Sequence, residues 1–349
     1  MEIKKKLLDS KCYVQNKIHK IAIVIYLFFK FRYQILTTFM YLRRLNLSTK
    51  KLVIKLDSRN SINLPSFVYP ASNISIATLN GTFVAVGRVS NGRFEDNSDL
   101  VGRPIQLYRK NQTQLQNGII KFNLLPDGET SNLEFLHTIS PIPNYEDPRI
   151  FILRGQEYVV MTQVRSPIGN TKSALKCGIV VENIKSKHIV KLPSPNAKGI
   201  EKNWVPVENN KCVVLLYSSN PVTLIEFEPD KPLYKLIVTQ NKSSENLNSR
   251  TQVIKTPYPE IPYIRIASKK VGSRKYGYTP LHYFEILSEN LRPISLSRPF
   301  IFSSRKQEYC QGIAIINSKI YLSWSEQEIH NFIGSIEISE VIKLFNDSN

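Results

Sequence analysis

The sequence predicts an all-β protein, specifically a five-bladed β-propeller preceded by a basic, apolar helical leader. Beyond about residue 50, long amphipathic helical patterns are scarce, whereas short apolar runs bounded by Asn, Pro, Gly and Ser are frequent. An apolar strand that ends in small or polar residues also recurs at spacings of roughly 50 to 75 residues. Such a spacing suits one four-stranded blade per repeat, with loops of variable length.

The repeat defines where the predicted blades lie. Its members are the segments 83–88, 158–162, 213–218, 263–268 and 320–325. Because the spacing is irregular, a pair of β-sandwiches is the alternative architecture. We therefore expect two parts: a leader at residues 1–50 and a propeller at residues 51–349.

The formal net charge of +19 is distributed unevenly over the 349 residues. The first 56 residues hold 13 Lys or Arg against two acidic residues, which leaves an excess of about +8 for all the rest. A body with so modest a charge excess makes a nucleic-acid partner unlikely on electrostatic grounds.

The leader does not have the pattern of an ordinary transmembrane helix. Its apolar runs at 21–29 and 33–42 are each too short to span a bilayer, and Lys30 and Arg32 separate them. Three alternatives follow: a basic helix at a membrane surface, a terminal helix packed on the domain, or a poor signal anchor. We expect a cytoplasmic protein, with peripheral membrane contact through residues 1–50 as an open alternative.

The cysteines indicate neither a metal site nor a disulfide framework. The four of them, at 12, 177, 212 and 310, are scattered and lack the paired spacing that zinc or a redox dithiol requires. They are typical of buried thiols in a reducing compartment, and no metal is expected.

The densest chemistry lies at 145–151, Tyr-Glu-Asp-Pro-Arg-Ile-Phe. In an extended segment, Asp147 and Arg149 would share one face, and Pro148 would hold Asp147 in β or polyproline geometry. Such a pair suits acid–base work, with Asp147 moving the proton and Arg149 tuning it or binding substrate. The alternative is a structural ion pair at the start of a strand.

Other polar groups, including those around Trp204, His282 and Glu308, precede or accompany the repeated strands. These groups would share one pocket if the innermost strands of a propeller converge on its central axis. Each has a plainer explanation: Trp204 as a core residue, His282 as a satisfied core imidazole and Glu308 as a solvated carboxylate. The sequence contains no Gly-rich phosphate loop, Gly-x-Ser-x-Gly elbow or His-Glu-x-x-His motif, which disfavours nucleotide-binding, serine-hydrolase and zincin functions.

Taken in order, these motifs resemble glycoside hydrolase family 130, which contains β-mannoside phosphorylases and β-1,2-mannosidases and has relatives among mannosyltransferases. The resemblance covers roughly residues 65–345. It rests on Glu146-Asp147-Pro148-Arg149, Glu201-Lys202-Asn203-Trp204, Tyr278 with His282 and Tyr283, Glu308-Tyr309-Cys310-x-Gly312, and Ser323-Trp324-Ser325.

The resemblance implies a five-bladed propeller that binds an oligosaccharide or glycan in its axial funnel, with Asp147 as the general acid. It implies no cofactor, although inorganic phosphate can serve as co-substrate. Glu308 is the candidate base for activating water. In an inverting enzyme, the carboxylate of the base lies about 6.5–9.5 Å from that of the acid. The candidate substrate contacts are Arg88, Arg149, Arg165, Lys202, Asn203, Trp204, Tyr278 and His282.

One departure from the family pattern bears on the attacking group. Phosphorylases of the family commonly carry a His-Arg pair at the end of the third-blade strand, where this chain has the segment 217–221, Tyr-Ser-Ser-Asn-Pro. The lack of that arginine argues against phosphate binding and favours hydrolysis, a transferase-type reaction or no turnover, with phosphate, water and a sugar hydroxyl kept as alternative nucleophiles. A non-catalytic glycan-binding propeller and a mannosyltransferase-like protein are the alternative functions.

Overall fold

The computed structural model of the chain describes a defined set of residues. They are 53–65, 71–90, 93–94, 106–107, 116–140, 144–165, 176–193, 203–219, 221–229, 234–238, 247–273, 277–303, 308–326 and 330–346. The predicted leader at 1–50 lies outside this set. Within it, no helix has the length and hydropathy needed to cross a bilayer.

Five antiparallel sheets form five blades, each of which begins with its innermost strand. The first strand of the chain, β1 (Ser58–Ser61), belongs to the last blade. Blade 1 comprises β2 (Ala71–Leu79), β3 (Thr82–Ser90), β6 (Asn117–Leu124) and β7 (Thr130–Ser140), with a hairpin of β4 (Arg93–Phe94) and β5 (Gln106–Leu107) between β3 and β6. Blade 2 comprises β8 (Asn144–Leu153), β9 (Gln156–Arg165), β10 (Lys176–Asn183) and β11 (Ile189–Leu192).

The remaining blades follow the same order from the axis outward. Blade 3 comprises β12 (Val205–Val207), β13 (Val213–Ser219), β14 (Val222–Phe227) and β15 (Tyr234–Val238). Blade 4 begins with the two short strands β16 (Asn248–Ser249) and β17 (Ile254–Lys255), which both pair with β18 (Tyr263–Ser273), followed by β19 (Gly277–Leu287) and β20 (Pro293–Leu296). Blade 5 comprises β21 (Glu308–Ile316), β22 (Lys319–Glu326), β23 (His330–Glu337) and then β1.

The five repeat segments seen in the sequence are the second strands of the five blades, β3, β9, β13, β18 and β22. Second strands are flanked on both sides within their sheet and packed on both faces, which explains their continuous apolar character. The predicted five-bladed propeller is therefore confirmed, and the alternative of two β-sandwiches is wrong.

The ring closes by pairing the two ends of the described chain. Strand β1 adds antiparallel to β23, with Ser58 opposite Ser335 and Ser61 opposite Phe332. A final helix, α1 (Ile338–Asn346), follows β23 and buries its apolar face in the core of blades 4 and 5. Because the first strand completes the last blade, the blades cannot open without breaking this sheet.

The innermost strands all run in the same direction, because each one opens its blade. Their N-terminal ends therefore meet at one mouth of the central channel, and their C-terminal ends at the other. The strands approach closely: a Cβ at Gly312 of β21 would lie 2.6 Å from the backbone nitrogen of Ile76 in β2 and would also clash with Ser323 Oγ.

We expect Gly312→Ala to destabilise the protein by roughly 1–3 kcal/mol, because the added methyl meets backbone that cannot move aside cheaply. The matched control is Gly178→Ala in β10, where the nearest atom to an added Cβ is Lys191 Cε at 3.8 Å. Denaturant unfolding of both variants checks this. Equal midpoints for the two variants would contradict the close approach of β2 and β21.

Candidate active site

The inner strands β2 and β8 share an irregularity at their N-terminal ends. The pairing register shifts between Ser72 and Ser75 in β2 and between Glu146 and Arg149 in β8. Within these bulges, Asn73 and Asp147 have φ values of 55° and 51°. Asn and Asp tolerate this left-handed region better than most residues, and a bulge re-aims the side chain it carries. Two neighbouring blades thus present polar side chains at the same level.

The bulge corrects the sequence expectation for Asp147. Pro148 does not hold Asp147 in β or polyproline geometry, since the φ of Asp147 is positive. The simple alternation of faces along 146–149 also fails, because the register shift interrupts the ladder at that point. Arg149 instead donates from Nη1 to the backbone carbonyl of Asp147 at 3.2 Å.

Asp147 is held by a residue that the sequence reasoning missed. Asn73 Nδ2 donates to Asp147 Oδ1 at 2.8 Å. The backbone nitrogen of Asn73 donates to Ser325 Oγ at 3.1 Å, and the Ser325 hydroxyl donates to Asn331 Oδ1 at 2.6 Å. Ser325 belongs to the Ser-Trp-Ser motif, so part of that motif supports the bulge that places Asn73 beside the carboxylate.

Arg149 lies on the axis of the propeller. Its Nε donates to the carbonyl of Arg250 at 3.4 Å, although blades 2 and 4 are not neighbours in the ring. The guanidinium is fully buried, and this burial lowers the pKa of Arg149 to about 10, while the nearby Asp147 carboxylate opposes the shift. Arg149 stays charged near neutral pH and carries a cation into the channel.

Arg250 is a second buried cation, which the sequence reasoning also missed. It lies just after β16, donates from Nε to Ser268 Oγ at 2.5 Å, and stands 5.1 Å from the centroid of the Tyr309 ring. Burial lowers the pKa of Arg250, and the electrostatic influence of Tyr309 and of the Asp147 carboxylate opposes that shift. A signal existed in the sequence: a polar run, Ser-Arg-Thr-Gln, at 249–252 occupies the blade-4 place that corresponds to Glu-Asp-Pro-Arg in blade 2.

Several buried polar atoms around the two arginines lack a hydrogen-bond partner in the described part of the chain. They are Arg149 Nη2, Arg250 Nη2, both ring nitrogens of His282 and Gln311 Oε1. Native proteins leave few such atoms unpaired, and sites for ligands or ordered water account for many exceptions. The cluster therefore holds unpaired positive charge beneath the channel surface, beside Asp147.

His282 lies behind Arg250 and not on the channel surface. It pairs with Ser268 across β18 and β19, is fully buried, and packs its ring against Phe300 and Phe302 at centroid distances of 5.8 and 5.1 Å. Burial, together with the Arg250 charge, lowers the pKa of His282 to about 3, so the imidazole is neutral near pH 7. This corrects the expected direct substrate contact, because the side chain exposes no surface.

Trp204 also proves to be a core residue. Its side chain is 1% exposed and packs edge-on against Tyr217, with ring centroids 5.1 Å apart, in the apolar layer between blades 2 and 3. The expected stacking of a sugar on this indole is corrected for the same reason: its faces are covered. The preceding Asn203 is exposed just before β12. Its φ of 63° is positive, like those of Asn73 and Asp147.

Of the other predicted contacts, the structure describes the side chain of Arg88 but not those of Lys202, Arg165 and Tyr278. Arg88 is buried in β3 and donates from Nη2 to Ser72 Oγ at 3.1 Å, so it supports the strand that carries Asn73. Lys202 lies outside the described residues. Arg165 ends β9 and Tyr278 lies in β19, where the structure describes their backbone only.

Glu308 has a structural environment, which corrects its assignment as a base. Its carboxylate accepts hydrogen bonds from the Phe302 nitrogen at 2.7 Å, the Ser303 nitrogen at 2.6 Å and Ser303 Oγ at 2.7 Å. The residue has no exposed surface, so no water can be activated there. Burial raises the pKa of Glu308 to about 7 despite these donors.

Among the described residues, no group of three or more His, Cys, Asp or Glu could hold a metal ion. Cys177, Cys212 and Cys310 are buried free thiols. Burial raises the pKa of Cys310, so this thiol beside the site is protonated and unreactive near neutral pH.

Comparisons with known proteins give the fold a context. No protein-family model matches the sequence, and no curated protein matches it. A β-1,2-mannobiose phosphorylase from Listeria innocua, solved with β-1,2-mannobiose, has a similar structure, with a TM-score of 0.53, 10% identity, and coverage of 80% of this chain and 93% of that one. A glycosyl hydrolase from Bacteroides ovatus gives a TM-score of 0.51, 13% identity, and coverage of 83% and 97%.

At these identities the comparisons show a shared fold. The structures that share it include a mannoside phosphorylase of the kind that the motifs of this sequence resemble. The fold that the resemblance implied is thereby confirmed over most of the chain.

Glu308 generates a pH-dependent prediction. Its pKa is higher in the folded protein than the usual 4.5, so the folded state binds more protons between about pH 4.5 and pH 7, and stability falls as pH rises through that window. We compare the free energy of unfolding of the wild type with that of Glu308→Gln. The wild-type value minus the variant value should decrease by about 3 kcal/mol as the pH rises from about 4.5 to about 7. Urea titrations at several pH values check this, with the exposed Glu260→Gln as control; a pH-independent difference would contradict it.

Proposed function

We propose that the chain is an inverting enzyme that cleaves or forms β-linked mannosides or related glycosides, with Asp147 as the general acid. The observation that carries the proposal is the position of Asp147: bulged out of an inner strand, fixed by Asn73, and flanked by the buried cations Arg149 and Arg250. The order of the motifs in the sequence and the shared fold support the same chemistry.

The arrangement around Asp147 suits proton donation to a glycosidic oxygen. Asn73 occupies Oδ1, and Oδ2 makes no hydrogen bond to any described residue, so Oδ2 is the oxygen that would carry and deliver the proton. As the C–O bond of the glycoside breaks, the leaving oxygen takes that proton and the attacking group bonds to the sugar from the opposite face. Attack on a β-mannoside then yields an α-configured product.

The attacking group in the proposal is phosphate. Phosphate is already nucleophilic and needs cationic contacts, whereas water needs a base. Glu308 is committed to the backbone of 302–303, while Arg149 and Arg250 each have an unpaired Nη2. Both Nη2 atoms are enclosed in this structure, so the entry of phosphate requires the side chains around them to move. These two arginines would provide the positive charge that the missing His-Arg pair of blade 3 provides in related phosphorylases.

The direct test is Asp147→Asn, assayed on β-1,2- and β-1,4-linked manno-oligosaccharides with and without phosphate. We expect kcat/KM to fall by about a thousandfold, because general acid catalysis contributes roughly 10²–10⁴-fold. Asp57→Asn, at an exposed carboxylate that faces Lys319 across 3.8 Å, is the matched control and should retain activity.

The products separate the alternatives. Release of α-mannose 1-phosphate only when phosphate is present supports the proposal in full. Release of mannose in the absence of phosphate would show that the reaction is hydrolysis and not phosphorolysis. Unchanged turnover in Asp147→Asn would overturn the acid assignment. A wild type that binds manno-oligosaccharides but releases neither product would show a non-catalytic glycan-binding propeller.

A further inference from the structure

A cavity of about 350 Å³ lies at the end of the central channel opposite Asp147. Segments at the C-terminal side of the innermost strands line it in all five blades. They are Ala77–Thr78, Ile150–Ile152, Glu208, Gln252 with Ile254–Pro257, and Ile313–Ile315. Its volume falls in the range of small-molecule sites, about 300–1,000 Å³.

Gln252 separates this cavity from the Asp147 end. Its Nε2 donates to the carbonyl of Ile313 at 2.7 Å and to the carbonyl of Ile76, which joins blade 4 to blades 5 and 1 across the axis. The side chain is buried and lines the cavity, and its Oε1 has no hydrogen-bond partner in the described residues. The far cavity is thus a compartment of its own, with an amide at its floor.

The wall of the cavity is apolar, and its mouth is charged. Five of the lining residues are isoleucines, from blades 2, 4 and 5, whereas Glu208 follows β12 and Lys255 ends β17 at the rim. A molecule that fills this space must therefore place an apolar group inside and polar groups outside.

Both rim charges are available. The carboxylate of Glu208 makes one hydrogen bond, in which Oε2 accepts from the Lys255 backbone nitrogen at 2.9 Å. Lys255 Nζ forms no ion pair within the described chain and lies 6.0 Å from the centroid of the Tyr263 ring. The backbone bond fixes the carboxylate close to the lysine, yet the two side chains do not pair with each other.

We propose that this cavity binds a small zwitterion with an apolar side chain, of the α-amino-acid type. The ammonium group of the ligand pairs with Glu208, its carboxylate pairs with Lys255, and its side chain fills the isoleucine-lined cavity. An uncharged apolar molecule would shield both rim charges from water without pairing them, and a simple amine or acid would pair only one of them.

The test uses three probes that share one ring: L-phenylalanine, phenethylamine, which lacks the carboxylate, and 3-phenylpropionate, which lacks the ammonium group. Isothermal titration calorimetry with the full chain should show saturable binding of L-phenylalanine. Each single-charge analogue should bind about two- to fivefold more weakly, since one partly exposed charge pair contributes roughly that factor.

Two conservative variants assign the charges. Glu208→Gln keeps the acceptor for the Lys255 nitrogen and should weaken L-phenylalanine and phenethylamine but not 3-phenylpropionate. Lys255→Met keeps the aliphatic stem and should weaken L-phenylalanine and 3-phenylpropionate but not phenethylamine. Lys211→Met, which removes a neighbouring cation that does not line this cavity, is the matched control and should change none of the three.

The outcomes are decisive in either direction. The crossed pattern of the two variants supports the site as proposed. Absence of saturable L-phenylalanine binding to the wild type, or binding that neither variant alters, would overturn it. Circular dichroism and unfolding midpoints equal to wild type would show that both variants fold, so a lost signal reports the lost charge.

Discussion

The proposed chemistry depends on the hydrogen bond from Asn73 Nδ2 to Asp147 Oδ1, which joins two neighbouring blades at one mouth of the channel. The two residues lie in the inner strands β2 and β8. Both strands bulge at the same level, and both residues take a positive φ that Asn and Asp tolerate. The bulges in the two inner strands thus bring the two side chains of the site together.

The bulges are in turn held by polar contacts between blades. Ser325 accepts from the Asn73 nitrogen, Ser323 Oγ donates to the Ile74 carbonyl at 2.7 Å, and Ser75 Oγ accepts from the Ile150 nitrogen at 3.3 Å. Each hydroxyl pairs a backbone group that the irregular strand leaves without a ladder partner. The same serines that look like ordinary strand residues in the sequence therefore help to position the Asp147 carboxylate.

The axis concentrates charge where water is scarce. Burying Arg149 and Arg250 is costly, and a single carboxylate, Asp147, opposes both cations. An anion arriving between them would recover part of this desolvation cost. At the opposite end of the channel the balance differs, since Glu208 and Lys255 offer one charge of each sign. One ring of strands thus presents two chemically different mouths, separated by Gln252.

The sequence predicted the fold class, the blade number and the second strand of every blade, because apolar strands packed on both faces leave a repeated pattern. It also singled out Asp147 and Arg149, whose roles in catalysis and substrate binding stay predictions. It could not identify Asn73 or Arg250, which gain their meaning from bulges and from contacts across the axis. It did not show that Trp204, His282 and Glu308 are buried, because composition alone does not reveal that their surroundings are closed.

The most direct measurement is a crystal structure of the Asp147→Asn protein with β-1,2-mannobiose. We predict that the disaccharide lies at the mouth formed by the N-terminal ends of the inner strands, with its glycosidic oxygen about 3 Å from the residue 147 side chain. A sugar bound elsewhere on the propeller, with that mouth empty, would contradict the assignment of Asp147 as the acid.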